Sequence, residues 1–233
     1  MPSVTVENYL KQVFLEQQEC GGGMVPMGRV ATAMGVVPGT ATTMMKSLAE
    51  AGWAEYTPRK GVRLTPEGKR AALEILRRHR LIEVFLVKIL GLDWTEIHED
   101  AEALEHAVSD RVLQRIDDLC GNPKYDPHGD PIPTATGEYR PRPLQNLLEC
   151  PMDAKLRVAR ILNQAPAFLQ YAHDKGLVPG SSVRVLERNP VADAVTLDVV
   201  GKGNLTLGGK VASCIKVEPC EGSGSPKMSP SSS

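Results

Sequence analysis

Apolar residues recur along this chain at two periods, and the change of period divides it. In "MGRVATAMGVVPGTATTMMKSLAEAGWAEY", Val30, Ala31 and Met34 share one face of a first helix. Ala41, Met44, Met45 and Leu48 share one face of a second. Gly35 permits the turn between them. Pro38 suits the first turn of the second helix, where its missing N–H would be unsatisfied in any case, and Gly52 is placed to end it. "WAEYTPRKGVRLTPEGKRA" then reads as two short strands around a turn at Pro58 to Gly61. From Glu74 to about Leu119 the helical spacing is nearly unbroken. Leu76, Leu81, Ile82, Phe85, Leu86 and Ile89 give "LRRHRLIEVFLVKIL" a core face. "HEDAEALEHAVSDRV", His98 to Val112, reads as a further helix docked through Ile97, Ala101, Leu104 and Val108. Gly121 to Pro151 is rich in Pro and Gly and reads as an irregular connection. Met152 to Pro219 opens as a short helix and then alternates with period two in "SSVRVLERN", "AVTLDVV" and "VASCIKVE", which predicts a small β-barrel. The tail "CEGSGSPKMSPSSS" has the composition of a disordered segment. The fold class expected is mainly α with a small β-barrel.

The first region has the layout of a helix-turn-helix with a wing. Thr40, Thr42, Thr43, Lys46 and Ser47 are left on the outside of its second helix. Small hydroxyl side chains on such a helix can contact base edges in the major groove. Arg59, Lys60 and Arg63 on the wing would sit on phosphates and fix the register. The implied partner is double-stranded DNA, although three helices with a hairpin also occur as pure protein-interaction domains.

The polar positions carry a second pattern. His98, Glu102, Glu105 and His106 are spaced three and four apart, so they are neighbours on one helical face. His79 and Glu83 repeat the four-residue spacing upstream. Carboxylates held close together repel, and a divalent cation removes that repulsion. Imidazole and carboxylate donors without thiolate suit Mn(II) or Fe(II) in a roughly octahedral shell, while zinc, cobalt or nickel could also bind. The plain alternative is a solvated acidic face with incidental histidines. On that alternative the chain is a metal-independent winged-helix DNA-binding regulator with a structural His/Glu face.

Charge is segregated along the chain. Thr57 to Arg80 carries 8 basic residues against 2 acidic ones, and Leu92 to Asp118 carries 9 acidic against 2 basic. A net of +6 beside a net of −7 is compatible with an anion-binding and a cation-binding region, and equally with two solvated faces. The net charge of −1 over 233 residues says nothing of partners by itself. No apolar run approaches the roughly 20 residues of a membrane span, and the first residues show no basic-then-apolar leader, so no membrane partner is expected. Cys20, Cys120, Cys150, Cys214 and Cys220 are odd in number and form no C-x-x-C, which suits free thiols in a reducing cytoplasm. No Ser/His/Asp order, phosphate loop or dinucleotide fingerprint stands out, and a carboxylate-bridged iron bundle would need a second E-x-x-H facing the first. No enzyme is expected.

With these residues in place, the chain resembles the diphtheria-toxin-repressor family of metal-dependent transcriptional repressors. The winged helix, "RRHRLIEVFL", "GLDWTEIHEDAEALEHAVSD" and "HGDPIP" carry the resemblance over Val4 to Pro133. "GLVPGSSVRVLERNP" and "GGKVASCIKVEP" look like the SH3-like domain of its longer, iron- or manganese-responsive members. The resemblance implies a winged helix-turn-helix domain over residues 1–73 and a helical metal-binding and dimerisation domain over 74–140. A linker over 141–152, an SH3-like (FeoA-like) domain over 153–220 and a disordered tail over 221–233 follow. It implies a cytoplasmic homodimer that binds a palindromic operator when loaded with Mn(II) or Fe(II) and controls manganese or iron homeostasis genes. His79, Glu83 and His98 match an ancillary metal site. Glu102, Glu105 and His106 match a primary one completed from the first helix, here at Asn8. A cysteine stands at the position of Glu102 in the iron-responsive branch, so the carboxylate resembles the manganese-responsive one. That branch has acids where this chain has Asn8 and Lys11. Further ligands that the iron branch draws from its SH3-like domain fall at Ala165 and Phe168, which cannot ligate; Gln164 is the nearest candidate.

Overall fold

Ser3 caps the first helix, α1 (Val4–Glu19), by accepting from the backbone N–H of Val6. The computed structural model describes residues 3–220; the expected tail, 221–233, lies outside the described residues. The described chain forms two compact units, the first being 3–92, Ile97–Asp126 and Pro131–Arg140. In it α2 (Met27–Ala33) and α3 (Pro38–Glu50) form the helix-turn-helix. Pro38 occupies the first turn of α3, and Ala41, Met45 and Leu48 are its buried face. Gly52, at φ 79°, turns the chain out, and the N–H groups of Gly52 and Trp53 bond back to the carbonyls of Ala49 and Leu48. The wing is the antiparallel pair β1 (Ala54–Thr57) and β2 (Gly61–Leu64). Tyr9, Leu10, Val13 and Phe14 of α1 close the core under these elements.

The organising element is α4 (Pro66–Lys88), 23 residues long. Thr65 caps it through a 3.1 Å bond from the Gly68 N–H, Pro66 starts it, and no Gly or Pro interrupts it after Gly68. Gly68 is required by packing, because a Cβ there would meet the Trp53 carbonyl oxygen at 1.9 Å. Leu73 and Leu76 belong to the winged-helix core, while Leu81 and Val84, and Ile82 and Leu86, belong to two further apolar clusters. The expected boundary at 73/74 therefore falls inside one continuous helix.

Two expectations need correction here. The helix read from His98 to Val112 is broken into α5 (His98–Glu105) and α6 (Asp110–Cys120). Ser109 is extended, at ψ 155°, and its hydroxyl accepts from the Val112 N–H, so it starts a new helix rather than continuing the old one. Of the expected docking stripe, Ile97 and Ala101 are buried with Val108 packed against them, but Leu104 is 40% exposed. Ile89 is likewise 41% exposed, since α4 ends at that residue.

The second unit comprises Asp93–Glu96, Pro127–Asp130 and 141–220. It holds β3 (Gln145–Asn146), β4 (Leu156–Ile161), α7 (Pro166–Asp174), β5 (Ser182–Asn189), β6 (Ala194–Val199), β7 (Gly203–Gly208), α8 (Gly209–Ser213) and β8 (Ile215–Pro219). The antiparallel sheet runs β3-β8-β4-β5-β6-β7. Val183 and Val185, Val195, Leu197 and Val199, and Ile215 and Val217 alternate into one apolar core. The short helix expected to open this region is instead strand β4, whose Leu156, Val158 and Ile161 are buried in that core. No helix among the described residues is long and apolar enough to cross a membrane.

Candidate metal centre

α4 and α5 bring the polar residues of the first unit together. His79 and Glu83 lie one turn apart on α4 and are 5% and 1% exposed. Their side chains meet at 3.0 Å through His79 Nε2. His98 opens α5 and approaches Glu83 from the solvent side, its Nδ1 3.6 Å from Glu83 Oε1 and its own side chain 47% exposed. The two imidazole rings stand edge to face, 4.9 Å between centroids. One donor atom from each of His79, Glu83 and His98 falls within 4.8 Å of the others. This triad has two buried donors, one exposed donor, and no thiolate.

Behind it lies a second cluster. Glu105 of α5 is fully buried. Its Oε2 meets His79 Nδ1 at 2.6 Å, and its Oε1 accepts from Lys11 Nζ at 2.6 Å. Lys11 also stands 3.6 Å from Glu102, and Glu102 stands 3.5 Å from His98 Nε2. His106 has Nδ1 2.6 Å from Glu7 and Nε2 2.9 Å from Asn8 Oδ1. Glu7, Asn8 and Lys11 share one face of α1, at spacings of three and four. So α1, α4 and α5 are joined by one continuous polar network.

The electrostatics follow from burial. For His79, burial alone would lower the pKa, but Glu83 and the bond to Glu105 outweigh it and hold it up to about 9. Burial likewise opposes the charge on Glu105, yet His79 and Lys11 keep its carboxyl below the usual range. Four carboxylates, Glu7, Glu83, Glu102 and Glu105, face the cations Lys11 and His79, which leaves −4 + 2 = −2.

The triad of His79, Glu83 and His98 fits a divalent ion by donor chemistry and spacing. The second set, Glu102, Glu105, His106 and Asn8, is brought together but does not fit one as it stands, because Lys11 Nζ lies between its carboxylates. Sequence reasoning missed Glu7, whose place in the first turn of a helix looks like an ordinary dipole contact. Gln164 donates to Asp130 at 2.7 Å within the second unit.

On the winged helix, Thr40, Thr43, Lys46, Arg59 and Lys60 are exposed and Thr42 is half-buried. The hydroxyls of Thr42 and Thr43 donate to the carbonyls of Pro38 and Gly39, so they present methyl groups and acceptor lone pairs outward. Arg59 forms the wing tip at φ 66°. Arg63 is paired across the strands with Glu55 at 2.7 Å. The basic run does not continue as an open surface down α4. Arg77 bonds Asp117 and the Pro133 carbonyl, Arg78 bonds Asp110 and the Val108 carbonyl, and Arg80 bonds the Pro131 carbonyl.

Comparison with known proteins agrees with this geometry. Residues 1–62 match the family described as "Iron dependent repressor, N-terminal DNA binding domain". Residues 65–134 match "Iron dependent repressor, metal binding and dimerisation domain", and residues 145–219 match "FeoA domain". The iron-dependent repressor IdeR of Mycobacterium tuberculosis is 30% identical over 229 residues, covering 92% of this chain and 96% of that protein. A solved manganese-dependent transcriptional repressor in complex with manganese is 39% identical, with a TM-score of 0.84 over 92% of this chain and 100% of its own. A structure of ScaR with bound Zn2+ is 34% identical, with a TM-score of 0.77 over 94% of this chain and all of that one.

Proposed function

The chain belongs to the diphtheria-toxin-repressor family of iron-dependent repressors, and from that membership we propose that it is a transcriptional repressor whose operator binding is switched on by Mn(II) or Fe(II). The observation that carries the reading is the placement of His79 and Glu83 on α4, the same helix that contributes Leu73 and Leu76 to the winged-helix core. A bound divalent ion supplies positive charge to a cluster that otherwise carries −2. Glu83 and His79 fix the buried side of the site, and His98 closes it from α5. Closing α5 onto α4 holds the helices that support the DNA-reading head in one arrangement. Only a difference in metal affinity between two arrangements can shift that equilibrium.

Thr40, Thr42, Thr43 and Lys46 would face base edges, and Arg59, Lys60 and Arg63 the phosphates. The protein acts as a cytoplasmic homodimer on a palindromic operator, its two heads spaced for successive major grooves about 34–36 Å apart. Manganese is supported by the solved relative that holds it, and iron by the iron-dependent relative. No catalytic role is assigned. The test is fluorescence anisotropy with duplexes selected from a random library in the presence of Mn(II). Affinity should rise about 5–150-fold with Mn(II) or anaerobic Fe(II) over chelator. Binding that ignores chelator overturns the reading.

A further inference from the structure

We infer that the ε-ammonium of Lys11 is the built-in cation of the Glu102–Glu105–His106 position, so that each chain takes one divalent ion, at His79, Glu83 and His98, and not two. The inference rests on the functional reading above and narrows it.

Three observations carry it. First, Lys11 is buried, with 7% of its side chain exposed, and its nitrogen is 2.6 Å from a carboxylate that is itself fully buried. A buried carboxylate needs a partner, and here the partner is covalently supplied. An ammonium and a dication cannot both occupy the dry ground around Glu105 Oε1. Second, the backbone of Lys11 is fixed in place. It sits on α1 among Tyr9, Leu10, Val13 and Phe14, all buried in the winged-helix core. Rolling α1 to withdraw the lysine would expose that face to water.

Third, three of the four donors of the second set, Glu105, His106 and Asn8, already have protein partners at hydrogen-bond distance, while Glu102, 47% exposed, stands 3.6 Å from Lys11. Glu105 uses one oxygen for Lys11 and the other for His79. His106 turns one ring nitrogen to Glu7 and the other to Asn8. The first set likewise keeps one open donor, His98, which stands 3.6 Å from Glu83 and is half open to solvent, while His79 and Glu83 bond each other at 3.0 Å. What separates the two positions is the ammonium of Lys11, which stands between the carboxylates of the second.

A consequence concerns α1. Lys11 ties it to α5 without any metal, so ion loading acts through α4 and His98 and not by recruiting α1.

The experiment is Mn(II) stoichiometry on the full chain, by equilibrium dialysis with elemental analysis and by native mass spectrometry. Wild type should hold one Mn(II) per chain, and His79→Ala with His98→Ala should hold none. Lys11→Glu should hold two, and its thermal midpoint should become strongly Mn(II)-dependent. Lys11→Gln keeps the side-chain length without the charge, and it should also gain a second, weaker ion. Two ions on wild type, or one on both Lys11 variants, overturn the inference and leave the repressor reading intact. No ion on wild type overturns both. The wild-type count decides even if a variant fails to fold.

Discussion

The two halves of the polar network use the same residue types and differ in what neutralises them. Around His79, Glu83 and His98 the charge is open on one side, with His98 at the surface and its neighbours at 3.5–3.6 Å. Around Glu105 it is closed, with Lys11 at 2.6 Å and almost no exposure. Carboxylates and imidazoles at helical spacing therefore do not by themselves specify a metal position. The deciding group can be a single cation 94 residues away in the chain.

The comparison breaks most easily at Lys11. Lys11→Ala leaves the buried Glu105 with His79 as its remaining partner, and removing one partner of a buried pair costs about 3–5 kcal/mol. His98→Ala removes an exposed group and should cost about 1 kcal/mol or less without metal. Urea unfolding of both variants in chelator measures the contrast; equal costs would mean that the two positions are not differently built. The next effect is functional. His79→Ala with His98→Ala should abolish the Mn(II)-dependent gain in operator affinity, a loss of about 1–3 kcal/mol of coupling, while chelated binding stays near wild type. Anisotropy titrations with and without Mn(II) read it directly.

A smaller effect is set by pH. The pKa of His79, held up to about 9 in the folded chain, lies above the roughly 6.5 of a free imidazole. Its contribution is therefore complete below about pH 6.5 and fades as pH rises through about 9. The chelated protein should lose thermal stability across that window, and a midpoint that is flat or rising would contradict the protonated bridge between Glu83 and Glu105. The smallest effect repeats the contrast of an open and a held cation on the wing. Lys60→Ala should lower the salt slope of operator binding by about one, with all sequences weakened alike. Arg63→Ala should do less, because Glu55 already holds that guanidinium.

Much of this was legible from spacing. The apolar positions Val30, Ala31, Ala41, Met45 and Leu48 gave the helix-turn-helix, and the strand alternation of Val183, Val185, Val195 and Leu197 gave the sheet. The triad on α4 and α5 followed from intervals of four and from a family pattern. What escaped was long-range or a matter of competing signals. Glu7 and Lys11 meet His106 and Glu105 across more than 90 residues, and no local period records that. The break at Ser109 was masked because polar residues on both sides continued a helical interval, although Ser before Asp is itself a helix start. Arg77, Arg78 and Arg80 left an anion-binding region and a solvated face equally open because charge was summed along the chain, while their partners lie on α6 and in the segments around it.

Gly68 and His79 sit 11 residues apart on one uninterrupted helix, about 16 Å along its axis. The glycine is pressed against the Trp53 backbone at one end, and the histidine is clamped between two carboxylates at the other. The winged helix and the His79–Glu83 cluster are thus locked in rotational phase, like two keys cut on one shaft. One residue inserted between them would turn the ligands by about 100° away from α5, whereas seven would nearly restore the angle and only lengthen the shaft. A change in the surface chemistry of this stretch leaves that phase untouched, whereas a change of one residue in its length does not.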